Sequence, residues 1–174
     1  MGTVNRRFFG TKGDQVLSVL FLIAIFLGIW TIGIYRETIV ENKYLIGFIL
    51  GGGTLGVLGL SVIGKNSLPK SLIFLVRVVI GSVFLSAAIL SLNKQFGDQE
   101  TKELKCEIVG KGSLAAGKSG CQQPYVMIRF EETEKQLVFY CHEEELVTRA
   151  RSVVLKYSRG LFGFYVFKAT ELAE

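Results

Sequence analysis

Three stretches almost free of charge constrain this chain more than any other feature. Residues 15–35 and 44–64 are each 21 residues without Asp, Glu, Lys or Arg, and residues 71–93 are 23 residues interrupted only by Arg77. A bilayer core takes about 20 apolar residues per helix, and a chain inside it must satisfy its own backbone hydrogen bonds. The expectation is three transmembrane helices at 15–35, 44–64 and 71–93. The first does not read as a cleavable signal. Its apolar core exceeds the roughly 7–15 residues of a signal sequence, and no small-x-small cleavage site follows before the second span. Trp30, Tyr35 and Tyr44 fall where interfacial aromatic anchors belong. The links at 36–43 and 65–70 are short, so the three helices should run up, down and up.

Composition follows this division. Hydrophobic residues make up 49% of the chain and charged residues 20%, below the roughly 25% charge of soluble domains. Disordered, collagen-like and disulfide-scaffold chains are thereby excluded. Residues 94–174 carry 12 basic and 12 acidic side chains, so the whole net charge of +5 belongs to the first 93 residues. The basic excess is charge flanking membrane spans, and nucleic-acid binding loses its main argument. Lys and Arg near the spans divide evenly, five on each side. A long domain translocates largely regardless of its charge, and the first span has its larger basic cluster at the N-terminal end. Both considerations put the N-terminus inside and the C-terminal domain outside, periplasmic if the host membrane is a bacterial inner membrane.

Beyond residue 93 the pattern becomes one of short strands. Residues 105–109, 125–130, 136–141, 152–157 and 161–168 alternate apolar and polar positions or are rich in β-branched and aromatic side chains. The polar segment Glu131-Glu132-Thr133-Glu134 predicts a hairpin, and residues 142–150 suit one or two helical turns. The expected fold class is a membrane protein of α+β type, with three transmembrane helices followed by a small antiparallel β-barrel-like domain. The expected organisation is a basic N-terminal segment at 1–14, the membrane region at 15–93, a linker at 94–101 and a soluble β-domain at 102–174. The run from Val153 to Phe164, ending in Gly160-Leu161-Phe162-Gly163-Phe164, together with Tyr125-Val126-Met127-Ile128, resembles the C-terminal SH3/OB-like β-domain of small, uncharacterised bacterial membrane proteins. That resemblance covers about residues 102 to 170. It implies a barrel and a bacterial origin, and no activity.

Several motifs have both a sharp and a plain reading. Residues 112–119, Gly-Ser-Leu-Ala-Ala-Gly-Lys-Ser, match the phosphate-binding pattern G-x-x-x-x-G-K-[ST]. That chemistry needs a helix immediately afterwards, whereas Gly120, Pro124 and a strand-like run follow, so a hairpin loop is expected and no nucleotide. In the second span, Gly47 with Gly51 and Gly52 with Gly56 form small-xxx-small pairs that let helix backbones approach. They mark a helix-packing interface, either within the three-helix unit or with another subunit. Arg77 is an intramembrane charge, functional by default, yet shallow enough to snorkel to the interface. Cys106, Cys121 and Cys141 all lie in the β-domain. Cys106 with Cys121 is the candidate disulfide, closing a loop across the Gly-rich segment; three buried thiols are the alternative. His142 matches no zinc spacing.

No catalytic constellation, metal site or cofactor is expected. The favoured function is a non-enzymatic membrane accessory or assembly subunit, with the lipid bilayer and other membrane subunits, or further copies of itself, as partners. The alternative is a small homo-oligomeric channel or transporter.

Overall fold

A computed structural model describes residues 11–63, 68–98, 100–116, 120–131 and 133–173. Arg6, Arg7, Lys65 and the Gly117-Lys118-Ser119 end of the phosphate-loop-like stretch lie outside these residues. The described chain divides into two compact units. One is helical, comprising residues up to Ile34 together with Asn42–Ser91. The other holds Tyr35–Glu41 and the residues from Leu92 onward.

The helical unit is built on α1 (Lys12–Arg36), α2 (Asn42–Gly59), which continues as a 3-10 turn at Leu60–Val62, and α3 (Lys70–Gln95). All three are long and apolar enough to cross a membrane. Each reaches within a few residues of its expected limits, with Lys12, Asp14 and Arg36 in the end turns of α1 and Lys70 and Lys94 in those of α3. Thr11 opens α1 as a cap: Asp14 accepts hydrogen bonds from the Thr11 backbone N–H at 2.9 Å and from its hydroxyl at 3.0 Å. α1 and α3 share a small apolar core of Leu17, Ala24, Ile73 and Ile80.

The second unit is a nearly closed antiparallel barrel of six strands. They are β1 (Thr38–Ile39), β2 (Lys102–Ser113), β3 (Pro124–Phe130), β4 (Thr133–Val138), β5 (Ser152–Arg159) and β6 (Tyr165–Ala173), in spatial order β1-β6-β5-β2-β3-β4. A 3-10 turn at Cys141–Glu143 leads into the short helix α4 (Glu144–Arg149) between β4 and β5. β2 is long enough to serve two neighbours: residues 102–107 pair with β5, and residues 108–113 pair with β3 across a register shift between Ile108 and Gly110. A bulge bends a strand and raises its twist, which lets one strand turn the corner of a barrel. Alternate residues of β3, Val126, Ile128 and Phe130, point inward with Val153, Leu155, Phe167 and Val147 to form the core. Phe130 sits in an aromatic cluster, with ring centroids 5.2 Å from Tyr157 and 5.2 Å from Tyr165.

One strand was absent from the sequence expectation. β1 comes from the loop between the first two apolar helices. Its Thr38 pairs with Val166 and its Ile39 with Tyr165, while Phe167 donates its N–H to the Glu37 carbonyl at 2.7 Å. Thr38, Ile39 and Val40 are all buried. Three successive β-branched side chains suit a pleated surface, but two paired residues are too few to show a period.

Candidate functional site

Four places carry the chemistry that the sequence singled out. The first is the seam between α2 and α3. A Cβ placed on Gly52 would come within 2.6 Å of the Ser82 Cα and 2.7 Å of the Gly81 carbonyl oxygen, and one on Gly56 would lie 2.9 Å from the Gly81 Cα. Real Cβ atoms do not approach so closely, so only glycine fits. Ser82 adds a hydrogen bond from its hydroxyl to the Ile49 carbonyl at 2.9 Å. Gly52 and Gly56 therefore pack within the chain. A Cβ on Gly51 would make only an ordinary contact with Leu85 at 3.6 Å, and one on Gly47 would meet nothing within 4 Å among the described residues. The partner glycine, Gly81, stands alone in α3 between Ile80 and Ser82 and forms no small-xxx-small pair on its own helix.

The second place is the groove beside that seam. Arg77 lies along a cavity of about 290 Å³ lined by Val57, Leu68, Lys70, Ile73, Phe74 and Arg77 itself. Its Nε is buried and has no hydrogen-bond partner among the described residues.

The third is a clasp in the barrel unit that explains the Gly160-Leu161-Phe162-Gly163-Phe164 run. Asn93, at the end of α3, is fully buried. Its side-chain amide donates to the Phe164 carbonyl at 3.1 Å and accepts from the Phe162 N–H at 2.9 Å, while its own carbonyl accepts from the Leu161 N–H at 3.2 Å. Gly160 lies directly against this amide, and Gly97 against Gly160, so neither position has room for a side chain. Gly163 has φ +84°, which glycine adopts without steric cost. Asp98 donates its N–H to the Arg159 carbonyl at 2.7 Å. Much of the stretch 94–101 is thus bound to α3 or to the barrel.

The fourth is the barrel's one open seam, between β1 and β4. Lys135 of β4 reaches across it, donating to the carbonyls of Tyr35 and Thr38, each at 2.9 Å, with its ammonium 4.4 Å from the centre of the Tyr35 ring. Burial lowers its pKa from the usual 10.5 to about 8. Nearby, Lys94 pairs with Glu37 at the exposed rim.

The cysteines correct the sequence expectation. The disulfide joins Cys121 and Cys141, not Cys106 and Cys121, with Cα atoms 6.3 Å apart. The β3–β4 hairpin decides this. Its register pairs Tyr125 with Val138 and continues outward through the Phe139 N–H to the Pro124 carbonyl at 2.9 Å, so the residues just beyond each strand meet. Cys106 instead lies opposite Val153 on β2 and is buried in the barrel core, where burial pushes its thiol pKa up. With Cys141 bonded, His142 has no adjacent thiol; its ring stacks on Tyr140 at 5.7 Å. Among the described residues no three His, Cys, Asp or Glu side chains gather closely enough to hold a metal ion.

In the phosphate-loop-like stretch, Gly112 and Ser113 end β2, and Leu114 donates its N–H to the Gln123 carbonyl at 2.9 Å. Among the described residues the next regular element is strand β3, not the helix that phosphate binding would need. No protein-family model, no curated protein and no solved structure matches this chain.

Proposed function

We propose that this chain is a non-enzymatic integral subunit of a bacterial plasma membrane, its helices packing into a larger membrane assembly and its barrel docking a partner protein on the outer face. The observation that carries this reading is the way the barrel recruits the helix connections. The segment after α1 supplies β1, and the last turn of α3 supplies Asn93 and its clasp. The chain therefore passes between the helical unit and the barrel three times. A catalytic or binding domain carried on a tether needs one crossing. Three crossings suit a part that holds its neighbours in fixed register. The outward faces of the helices support the same reading, since Phe26, Leu50 and Leu58 are at least 65% exposed and need lipid or other helices to cover them. The Cys121–Cys141 disulfide fits an oxidising compartment, in keeping with an external barrel.

A pull-down of the tagged protein in mild detergent, with native mass measurement and identification of what it retains, tests the proposal. Stoichiometric recovery of other membrane proteins is expected. A pure homo-oligomer that conducts ions in liposomes would replace this reading with that of a small channel. Modification of Cys121 and Cys141 in intact cells without reductant by a membrane-permeant thiol reagent, but not by an impermeant one, would overturn the external placement.

A further inference from the structure

Arg77 is a charge in an apolar helix, and its surroundings point to what neutralises it. Its backbone carbonyl faces Gly56 across the α2–α3 seam, and its side chain lines the groove beside that seam. The groove it enters has two cations, Lys70 and Arg77, and four apolar side chains, Val57, Leu68, Ile73 and Phe74. Arg77 is half-buried; its guanidinium has five N–H donors and no acceptor, and a charge without a partner inside a bilayer is costly. Its buried Nε, without a partner among the described residues, therefore calls for an acceptor from elsewhere. The three helices contain one acidic residue, Asp14, and the Thr11 cap already engages it.

The acceptor is also constrained in kind. With no acidic side chain among its described lining residues, a groove carrying two cations attracts a negative charge. The apolar lining is unsuited to a small hydrated ion, but it suits a phosphate that carries glycerol and acyl chains. Arg77 lies seven residues after Lys70, roughly 10 Å along the helix at the standard rise. With α3 across a bilayer, that interval reaches from the headgroup level to the upper acyl region, the depth of a phospholipid phosphate and its glycerol.

We propose that this groove binds the headgroup phosphate of an anionic phospholipid. The Arg77 guanidinium takes two phosphate oxygens in its fork, Lys70 supplies a second positive charge at the rim, and the apolar walls receive the glycerol and upper chains. The inference rests on the reading that α3 crosses a membrane.

The test uses full-length protein in non-ionic detergent, titrated with phosphatidylglycerol, with phosphatidylcholine and with inorganic phosphate. Binding is followed by native mass spectrometry and thermal melting. Phosphatidylglycerol is expected to bind about tenfold or more tightly than phosphatidylcholine, since its net negative charge is attracted to the two cations whereas the choline ammonium is repelled by them. Arg77→Gln should remove that preference, Arg77→Lys should keep part of it because charge remains without the fork, and inorganic phosphate should not compete. Equal binding of the two lipids by the native protein would overturn the inference, and this comparison does not depend on any variant folding. Competition by inorganic phosphate would also overturn it, revealing an ion site in place of a lipid site. Release of the protein from membranes by alkaline carbonate would instead overturn the membrane reading itself. Integral protein that is indifferent to headgroup would sink the lipid inference alone.

Discussion

Each of the two units packs its own interior, and the two do so by opposite means. In the barrel, large side chains fill a shared interior: Val126, Ile128, Val153 and Leu155 are fully buried, and Phe130 packs among Tyr157, Tyr165 and Phe167. Between α2 and α3 the contact is made by the absence of side chains at Gly52, Gly56 and Gly81. The difference follows from the solvent each unit is suited to. Water rewards removing apolar area, at about 25 cal/mol per Å², so a barrel gains by burying bulk. Lipid offers no such reward, because acyl chains are as apolar as leucine. Helices there associate through close backbone packing and polar contacts such as that of Ser82.

The sharpest way to break the comparison is to make each unit pack by the other's rule. Phe130→Ala empties the barrel's aromatic cluster and should cost about 3–5 kcal/mol. Denaturant unfolding of the barrel, followed by near-ultraviolet circular dichroism, measures it. Adding bulk to the helical seam should also be damaging. Gly56→Leu drives a side chain into the α3 backbone, and overpacking typically costs about 1–3 kcal/mol, occasionally more. Gly47→Leu, where a Cβ meets nothing within 4 Å among the described residues, should leave the monomer's melting temperature in detergent unchanged. If it nevertheless dissociates a larger assembly, Gly47 contributes to contact with another subunit. Equal damage from both leucines in the isolated monomer would refute the assigned seam.

Asn93 tests how far the barrel depends on the end of α3. Asn93→Ala leaves the Phe162 N–H and the Phe164 carbonyl without their partner, at a cost of about 1–3 kcal/mol. The barrel's melting temperature should fall, with the seam at Gly81 unaffected. The smallest effect concerns Lys135. Its pKa is held at about 8 in the folded barrel against the usual 10.5. Between those values the unfolded chain binds the proton that the folded chain has released, so barrel stability should rise as pH rises through that window and level off above it. The neutral amine keeps two N–H donors for the Tyr35 and Thr38 carbonyls, so the seam stays bridged. Lys135→Met should flatten the pH dependence, as melting curves across the window would reveal.

Much of this architecture can be read along the chain. A charge-free run of fixed length declares an apolar helix regardless of its neighbours, and the helix ends follow the charges at Asp14, Arg36, Lys43, Lys70 and Lys94. Polar Glu131-Glu132 between two alternating runs declares a hairpin, and Phe130 indeed pairs with Thr133 around it. The acidic run at 143–145 marks the start of a helical turn, as α4 bears out. These are local signals, each contained within one element.

What escaped the sequence reading required two distant elements to meet. β1 is two residues long and exists only because β6 presents an edge to it. The disulfide follows hairpin register, so Cys121 finds Cys141 while Cys106 faces the core, and cysteine spacing carries none of that. Gly81 is one glycine in an otherwise ordinary helix, and only the α2 backbone lying against it gives it meaning. Asn93 reads as the last polar residue of a span, yet it is the centre of a clasp to a turn some seventy residues away. The sequence by itself determined which segments shun water and which alternate, because transfer free energy and backbone period are properties of a segment alone. The tertiary structure decided which glycines touch, which cysteines bond and where the Arg77 Nε lies without a partner among the described residues, because those depend on distances between segments that no single segment encodes.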